Sequence, residues 1–283
     1  MVTRRIAIRL SSLFAIRHSP FAASFAVSLL VALAGPTSGA ELKVLAAGGM
    51  RPGLNAAALV FAEHSGVEAR FTYEPPLDLG RRVAGGEAAD IVVSSPAVVA
   101  ELTKAGKVSG EGQMHLGRVG VGVVVREGVP LPDISSPQAL KDSLIAADAV
   151  VYNTASSGTY IDGMLRKIGA YDLIEHKLVR LWDGTAVMHH LMEGKAKEFG
   201  FGGITDILGY RDRGLRLVGP LPAEIQNYAS YSAAVITAAP NPEAAKAFLA
   251  YLASAEGRAL FVANGIPQEG ERRNAYGARP WLR

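Results

Sequence analysis

The fold is set by the sequence LKVLAAGG at positions 42–49, an apolar run of strand length that ends in two glycines. DIVVSS at 90–95 is a second such run, and the following Pro96 suits the first turn of a helix. Between them a helical pattern spans about 51–65 and stops at Gly66, and a further strand is expected at 69–73. Strands that alternate with helices in this way predict a parallel sheet with helices on both faces.

The alternation continues to the end of the chain without a recognisable linker. Further strands are expected at 119–125, 149–153, 198–203, 215–218 and 231–237, and a long helix is expected to begin at Pro242. Two α/β units without a linker predict two lobes that share more than one crossover. We expect lobe 1 to comprise 41–118 and 232–283, lobe 2 to comprise 119–231, and the hinge to lie near 119–123 and 228–232.

The first 40 residues have the pattern of a secretory signal peptide. Four arginines precede an apolar segment at 21–34, and Ser38-Gly39-Ala40 is a small-residue cleavage signal. The apolar segment is short of the roughly 20 residues that a spanning helix needs, which disfavours a retained anchor. We therefore expect export to the periplasm and a soluble mature protein that begins near Glu41.

The charge balance excludes an obvious nucleic-acid partner. The chain of 283 residues carries 29 Lys and Arg against 26 Asp and Glu, with a pI near 9.1. Without the four arginines of the leader, 25 basic residues face 26 acidic ones, so the basicity belongs to the leader.

Residue types and spacings also exclude several kinds of site. The chain has no cysteine, which excludes disulfides, thiolate metal sites and a cysteine nucleophile. The six histidines form no H-x-x-x-H pair, and the sequence holds no phosphate-binding loop, dinucleotide fingerprint or G-x-S-x-G elbow. We therefore expect neither a metal nor a cofactor.

Ligands of open α/β sheets lie beyond the carboxyl ends of the strands, where helix N-termini offer free N–H groups to anions. Each strand end has a structural alternative as well, since the glycines also suit tight turns and the serines also suit helix caps. An Arg fork would suit a carboxylate. Arg118 is a weaker candidate for that role, and Tyr152, Tyr160 and Tyr231 are weaker candidates to stack on a ligand. The candidate binding residues are Gly48, Gly49, Met50, Arg51, Glu74, Pro75, Arg81, Ser94, Ser95, Ala155, Ser156, Ser157, Gly158, Gly202, Gly203 and Thr205.

Both ends of the mature chain resemble periplasmic molybdate-binding proteins. The beginning carries LAAGGM at 45–50 and AADIVVS at 88–94, and the end carries NPEAA at 241–245 followed by Phe248, Leu252 and Phe261. The resemblance covers nearly the whole mature chain. It implies a type II periplasmic binding fold, in which two lobes with mostly parallel sheets and flanking helices are joined by two crossover segments. It also implies a partner, the membrane permease of an ABC importer.

The ligand positions differ from those of that family. The family offers a Ser after the first strand, a second Ser before the second helix and a Tyr late in the second lobe. This sequence has Gly48-Gly49, the stretch 74–78 and about Gly203 at those places. The pocket should therefore be roomier, and an organic carboxylate becomes a candidate ligand beside a molybdate-like oxyanion.

The sequence thus predicts an exported, monomeric solute-binding protein without catalytic activity, which captures a small anion between its lobes and delivers it to an ABC importer. One alternative is a secreted α/β hydrolase with Ser156 or Ser94 as nucleophile. Another alternative is a sensing module that presents its closed form to a membrane receptor.

Overall fold

The computed structural model describes residues 41–154 and 156–267, apart from the side chains of Ser156 and Ser157. The predicted signal peptide, Ala155 and the tail from position 268 onward lie outside the described residues. The strands are β1 Glu41–Ala47, β2 Glu68–Glu74, β3 Ile91–Ser94, β4 Met114–Arg126, β5 Ala149–Asn153, β6 Leu178–Leu181, β7 Glu198–Gly203, β8 Leu215–Pro220 and β9 Tyr228–Val235. The helices are α1 Arg51–Ser65, α2 Pro76–Ala84, α3 Pro96–Lys104, α4 Pro137–Ile145, α5 Ser156–Lys167, α6 Tyr171–Ile174, α7 Gly184–Glu193, α8 Ile204–Leu208, α9 Pro242–Ala253 and α10 Ala255–Ala263. No helix in the described ranges is both long and apolar enough to cross a membrane.

The strands form one curled, mixed sheet in the order β2-β1-β3-β9-β4-β7-β5-β6, and β8 also pairs with β4. The pairs β1–β2, β1–β3, β5–β6 and β5–β7 are parallel, as the alternation of strands and helices predicts. Strands β4, β8 and β9 run antiparallel to their neighbours.

Strand β4 connects the two halves of the sheet. Its first part, up to Gly120, pairs with β9, whereas the part from Val121 onward pairs with β7 and β8. A register irregularity between His115 and Gly117 interrupts the first part, and Gly117 has φ of 142°, which an L side chain rarely adopts. β4 begins five residues before the strand expected at 119–125. Residues 114–118 lack an apolar pattern, so the sequence does not reveal them as a strand, and pairing with β9 orders them.

Each half of the sheet has an apolar core on both faces. In the first half, Val44 and Val93 pack with Phe248 on one face, while Leu45 and Val92 belong to the cluster on the other. The second half repeats this arrangement around β5, with clusters on its two faces. The prediction of an α/β fold with helices on both faces is confirmed. β6, α4 and α6 are not among the predicted elements, and the four residues each of β6 and α6 are too few to show a pattern.

Candidate functional site

A cavity of about 700 Å³ lies at the carboxyl ends of β1, β2 and β7, where the chain enters α1, α2 and α8. The start of α7 and one residue of β9 also line it, so both halves of the sheet contribute. Its walls are formed by Ala47, Gly48, Gly49, Arg51, Pro52, Tyr73, Glu74, Pro75, Pro76, Gly184, Thr185, Met188, Thr205, Asp206, Gly209, Tyr210, Arg213 and Tyr231. The volume lies within the 300–1,000 Å³ typical of small-molecule sites.

Three helices begin at this cavity without a side-chain cap. No side chain accepts a hydrogen bond from the first turn of α1, α2 or α8. By contrast, Ser95, Ser136 and Ser254 cap helices that begin elsewhere, and Asp183 caps α7. Few N–H groups are free in these first turns, because Pro52 and Pro76 have none and those of Arg51 and Asp78 donate to the carbonyls of Gly48 and Pro75. The uncapped ends of α1 and α2 therefore favour an anion in the cavity through the positive ends of their helix dipoles.

Two arginines bring positive charge to the cavity. The guanidinium of Arg51 lies 4.1 Å from the ring centre of Tyr73, and that of Arg213 lies 4.7 Å from the ring centre of Tyr210. Neither is ion-paired with another described residue. Stacking on an aromatic ring orients a guanidinium and leaves its N–H groups free to bind a carboxylate.

The two acidic side chains of the cavity differ in their surroundings. Glu74 forms an ion pair with Arg82, so the negative charge of Glu74 is compensated. Arg82 also forms an ion pair with Glu87. Asp206 has no hydrogen-bond or ion-pair partner among the described residues. Its side chain reaches the solvent of the cavity, yet desolvation by the surrounding protein raises its pKa to about 6, opposed by the charge of Arg51.

Gly49 makes room for Tyr231 in the wall of the cavity. A Cβ atom at position 49 would lie 2.7 Å from the Tyr231 hydroxyl oxygen. Burial raises the pKa of Tyr231 to about 12, and the nearby charge of Asp206 acts in the same direction. The Tyr231 hydroxyl therefore stays protonated at neutral pH and can donate a hydrogen bond.

Thr205 provides an unsatisfied hydroxyl in the same wall. The residue is 1% exposed, and its Oγ1 has no hydrogen-bond partner among the described residues. An unsatisfied polar group costs about 1–3 kcal/mol when it is buried. Because Thr205 also lines the cavity, its hydroxyl is a candidate hydrogen-bonding group for a bound molecule.

Six of the sequence-predicted binding residues line this cavity. They are Gly48, Gly49, Arg51, Glu74, Pro75 and Thr205. They come from the ends of β1, β2 and β7 or from the turns that follow, so these strand ends lie around one cavity. The contact of each residue with a ligand stays a prediction.

Five other candidates are not among the residues that line the cavity. Met50 is fully buried in the core of the first half. Ser94 donates a hydrogen bond to the carbonyl of Pro76, at 3.2 Å, and Ser95 accepts one from the N–H of Val98 as the cap of α3. Gly202 packs near Met188, where a Cβ atom would lie 2.9 Å from Cε, and Gly203 leaves space for a carboxylate oxygen of Asp206.

Of the remaining candidates, Arg81 and Gly158 do not line the cavity either, and the others lie outside the described residues or have side chains outside them. Arg81 is exposed and forms an ion pair with Asp78. Gly158 packs directly against the carbonyl of Asn153, which explains a glycine at that position. The described residues do not include Ala155 or the side chains of Ser156 and Ser157. The hydrolase alternative loses Ser94, because its hydroxyl is bonded to a carbonyl and is fully buried.

Three lining residues, Tyr73, Tyr210 and Arg213, lie in no recognisable motif. Asp206 belongs to the stretch 202–206, which the sequence places at one wall either in binding or in helix capping, and Tyr231 is a weaker candidate. The only available signal was position, since Tyr73 and Asp206 lie within three residues of a predicted strand end. No group of three or more His, Asp or Glu side chains suited to a metal ion occurs in the described part of the chain.

Several known proteins are similar to this chain in sequence or structure. An aconitate isomerase of Pseudomonas sp is 28% identical over 230 residues, which cover 80% of this chain and 87% of that protein. The substrate-binding domain of a putative molybdenum ABC transporter from Clostridium difficile superposes with a TM-score of 0.66 at 20% identity, over 81% of this chain and 99% of that one. The periplasmic molybdate-binding protein of Azotobacter vinelandii has a TM-score of 0.60 at 17% identity, over 80% and 100% of the two chains.

These solved structures confirm the two-lobed periplasmic binding fold that the sequence resemblance implied. The family model for bacterial extracellular solute-binding proteins matches residues 42–266, which is nearly all of the described chain. The chain therefore belongs to the bacterial extracellular solute-binding protein family.

Proposed function

We propose that this protein captures a small organic carboxylate in the cavity and delivers it to an ABC importer. The observation that carries the proposal is the convergence of two unpaired guanidinium groups, Arg51 and Arg213, with the uncapped N-termini of α1 and α2. Arginine forks match the two oxygens of a carboxylate, and helix N-termini add a favourable dipole.

Several features favour an organic carboxylate over molybdate. The loop after β1 contributes Gly48 and Gly49, which have no hydroxyl to hold a tetrahedral oxyanion. A cavity of about 700 Å³ also suits a larger molecule. The relative named aconitate isomerase acts, by its name, on a small tricarboxylic acid, which points to the same ligand class.

The mode of action follows from the way the halves are joined. We propose two lobes, one formed by 41–118 with 232–283 and the other by 119–231. The lobes close on the ligand when β4 and β9 bend near Gly120, where the pairing of β4 with β9 ends and its pairing with β7 begins. Ligand binding favours the closed state, because only that state contacts the ligand from both walls. A monomer exported to the periplasm by its N-terminal segment would present the closed form to the permease.

A thermal-shift panel tests the ligand class. The panel comprises molybdate, sulfate, phosphate, succinate, L-malate, tricarballylate, citrate, and cis- and trans-aconitate. A ligand at 100 times its Kd stabilises the protein by about 2.7 kcal/mol, which corresponds to a rise in Tm of roughly 5–10 °C for a chain of this size. We expect a carboxylate to give the largest shift. A molybdate shift well above every carboxylate shift would refute the proposal.

Arg51→Gln and Arg81→Gln form a matched pair for the site itself. Arg51 lines the cavity, whereas Arg81 is exposed and pairs with Asp78. Loss of a charge-assisted pair weakens binding about tenfold to a hundredfold. Calorimetric titration should show that loss for Arg51→Gln and an unchanged Kd for Arg81→Gln. Equal affinities in both variants would mean that the carboxylate binds elsewhere.

An isomerase activity is a second candidate function. It is favoured by the carboxyl of Asp206 in the cavity and by the sequence similarity of the chain to an aconitate isomerase. With a pKa near 6, Asp206 is mostly ionised at pH 7 and could take a proton from the CH₂ carbon of aconitate. The double bond would shift, and the proton would return to the far carbon, so that no atom is gained or lost. Proton NMR of cis-aconitate with the protein tests this candidate. Conversion to the trans isomer that Asp206→Asn abolishes would establish it, and an unchanged spectrum would exclude it.

A further inference from the structure

One wall of the cavity holds two polar side chains that no described residue satisfies. The Oγ1 atom of Thr205 is buried without a partner, and the Asp206 carboxylate has neither a hydrogen bond nor an ion pair. Gly203 keeps the space that the carboxylate occupies, since a Cβ atom there would lie 2.9 Å from Asp206 Oδ2. The Asp206 side chain is exposed to the cavity, so water solvates it until a ligand displaces that water, whereas the Thr205 hydroxyl is buried without a partner. A ligand that fills the cavity must therefore replace the hydrogen bonds of Asp206 with water or leave its charge unsatisfied.

An ionised carboxylate only accepts hydrogen bonds, whereas a threonine hydroxyl can also donate one. A ligand that satisfies this wall must therefore bring a hydrogen-bond donor to Asp206 and an oxygen to Thr205. Arg51 already lies close enough to interact with the charge of Asp206. A neutral hydroxyl suits this place better than an ammonium group, which Arg51 would repel.

We propose that Thr205 and Asp206 form a hydrogen-bonding subsite that selects carboxylates carrying a hydroxyl group. The proposal rests on the carboxylate-binding function proposed above and names the substrate class within it. Arg51 and Arg213 bind the ligand carboxylates, the ligand hydroxyl donates to Asp206, and the Thr205 hydroxyl donates to a ligand oxygen. Ligands that offer only acceptors, such as succinate, leave Asp206 unsatisfied and meet its negative charge.

Two ligand pairs that differ by one hydroxyl test the subsite, L-malate against succinate and citrate against tricarballylate. Calorimetric titration at pH 8 should show that the wild-type protein binds the hydroxyl-bearing member about tenfold or more tightly, as expected for a hydrogen bond to a charged acceptor. Asp206→Asn and Thr205→Val should each reduce that ratio. Asp172→Asn, at an exposed position in α6, should keep it.

The pH dependence of the same ratio separates Asp206 from its neighbours. Below pH 6 the carboxyl is increasingly protonated and can donate to succinate. The preference for malate should therefore shrink more in the wild-type protein than in Asp206→Asn, where this carboxyl is absent and the ligands' own carboxyl groups still titrate. The ionisable groups around Asp206 and across the cavity are Arg51, Tyr73, Glu74, Asp183, Tyr210, Arg213 and Tyr231. All of them, and the carboxyl groups of the ligands, are unchanged in the variant, so a change that persists there comes from those groups and not from Asp206.

The outcomes distinguish this proposal from the broader one. If members of both pairs bind with equal affinity, or if Asp206→Asn keeps the full preference, the hydroxyl subsite is wrong while carboxylate capture stands. Tighter binding of L-aspartate than of L-malate would also overturn it, in favour of an ammonium subsite. If no carboxylate binds at all, the proposed function fails and the subsite fails with it.

Discussion

Gly49→Ala tests the geometry of the cavity wall most directly. The added Cβ would lie 2.7 Å from the hydroxyl oxygen and 3.3 Å from Cζ of Tyr231. A comfortable contact begins near 3.5 Å, so the hydroxyl must move by about 0.8 Å. Gly49 does not have a positive φ, so alanine introduces no backbone strain and the effect comes from the contact alone.

The expected cost is moderate, because the obstructing atom is the end of a side chain. Overpacking of this kind costs about 1–3 kcal/mol, and we expect the lower end because the hydroxyl can shift into the cavity. That cost corresponds to a fall in Tm of roughly 2–4 °C. The displaced ring should also weaken carboxylate binding, since it enters the ligand's space.

Two companion variants isolate the contact. Gly48→Ala adds a Cβ with no atom within 4 Å, so it should be neutral or slightly stabilising. Tyr231→Phe removes the obstructing oxygen. Adding Gly49→Ala to Tyr231→Phe should therefore lower the Tm much less than Gly49→Ala lowers it in the wild-type protein. Thermal unfolding by circular dichroism measures all four proteins. If Gly49→Ala and Gly48→Ala melt together, or if the double variant shows no recovery, the contact between Gly49 and Tyr231 has been misjudged.

Substitutions at three further positions test the fold and the charge of the cavity. Ser95→Ala removes the cap of α3 and should lower the free energy of unfolding in urea by about 1 kcal/mol without changing ligand affinity. A change in ligand affinity would indicate that Ser95 contacts the ligand. Asp90→Ala should lower the free energy of unfolding by about 2–5 kcal/mol, because the buried carboxylate accepts hydrogen bonds from the N–H groups of Lys43 and Asn241 at 2.8 and 2.7 Å. Asp90→Asn should lower it less, because the amide oxygen can still accept one of these bonds. Asp206→Asn should match the wild-type Tm at pH 4 and exceed it at pH 8. The folded-state pKa of Asp206 lies above its ordinary value of 3.8, so the wild type loses stability as pH rises through about 6. We expect only about 1 kcal/mol because the carboxyl reaches water, and equal Tm values at both pH values would contradict the raised pKa.

Much of the fold could be predicted because the relevant signals are local. The apolar runs at 42–47 and 91–93 read as buried strands in isolation, and Gly66 marks the end of α1 by its left-handed conformation. The length of β4 and the presence of β6 could not be predicted in this way. Pairing with β9 and β5 orders residues whose own pattern is weak.

The candidate site was predicted in part, for a related reason. Strand ends can be located from the sequence, so Gly48, Glu74 and Thr205 were expected near one another, and the structure brings them to one cavity. Ser95 has the same position at a strand end, but its side chain caps a helix. The sequence cannot distinguish these two roles, because capping and ligand binding use the same residue types.

The amino-acid sequence by itself determined the α/β class, the family resemblance and the edge of the sheet where a ligand would bind, because each depends on periodicity or on the end of a strand. Only the tertiary structure decided which side chains face the cavity. Arg51, Asp206, Arg213 and Tyr231 come from distant segments and meet because strands β4 and β9 join the two halves of the sheet. The charge on Asp206 likewise depends on the protein atoms packed around it, and no local pattern contains that information.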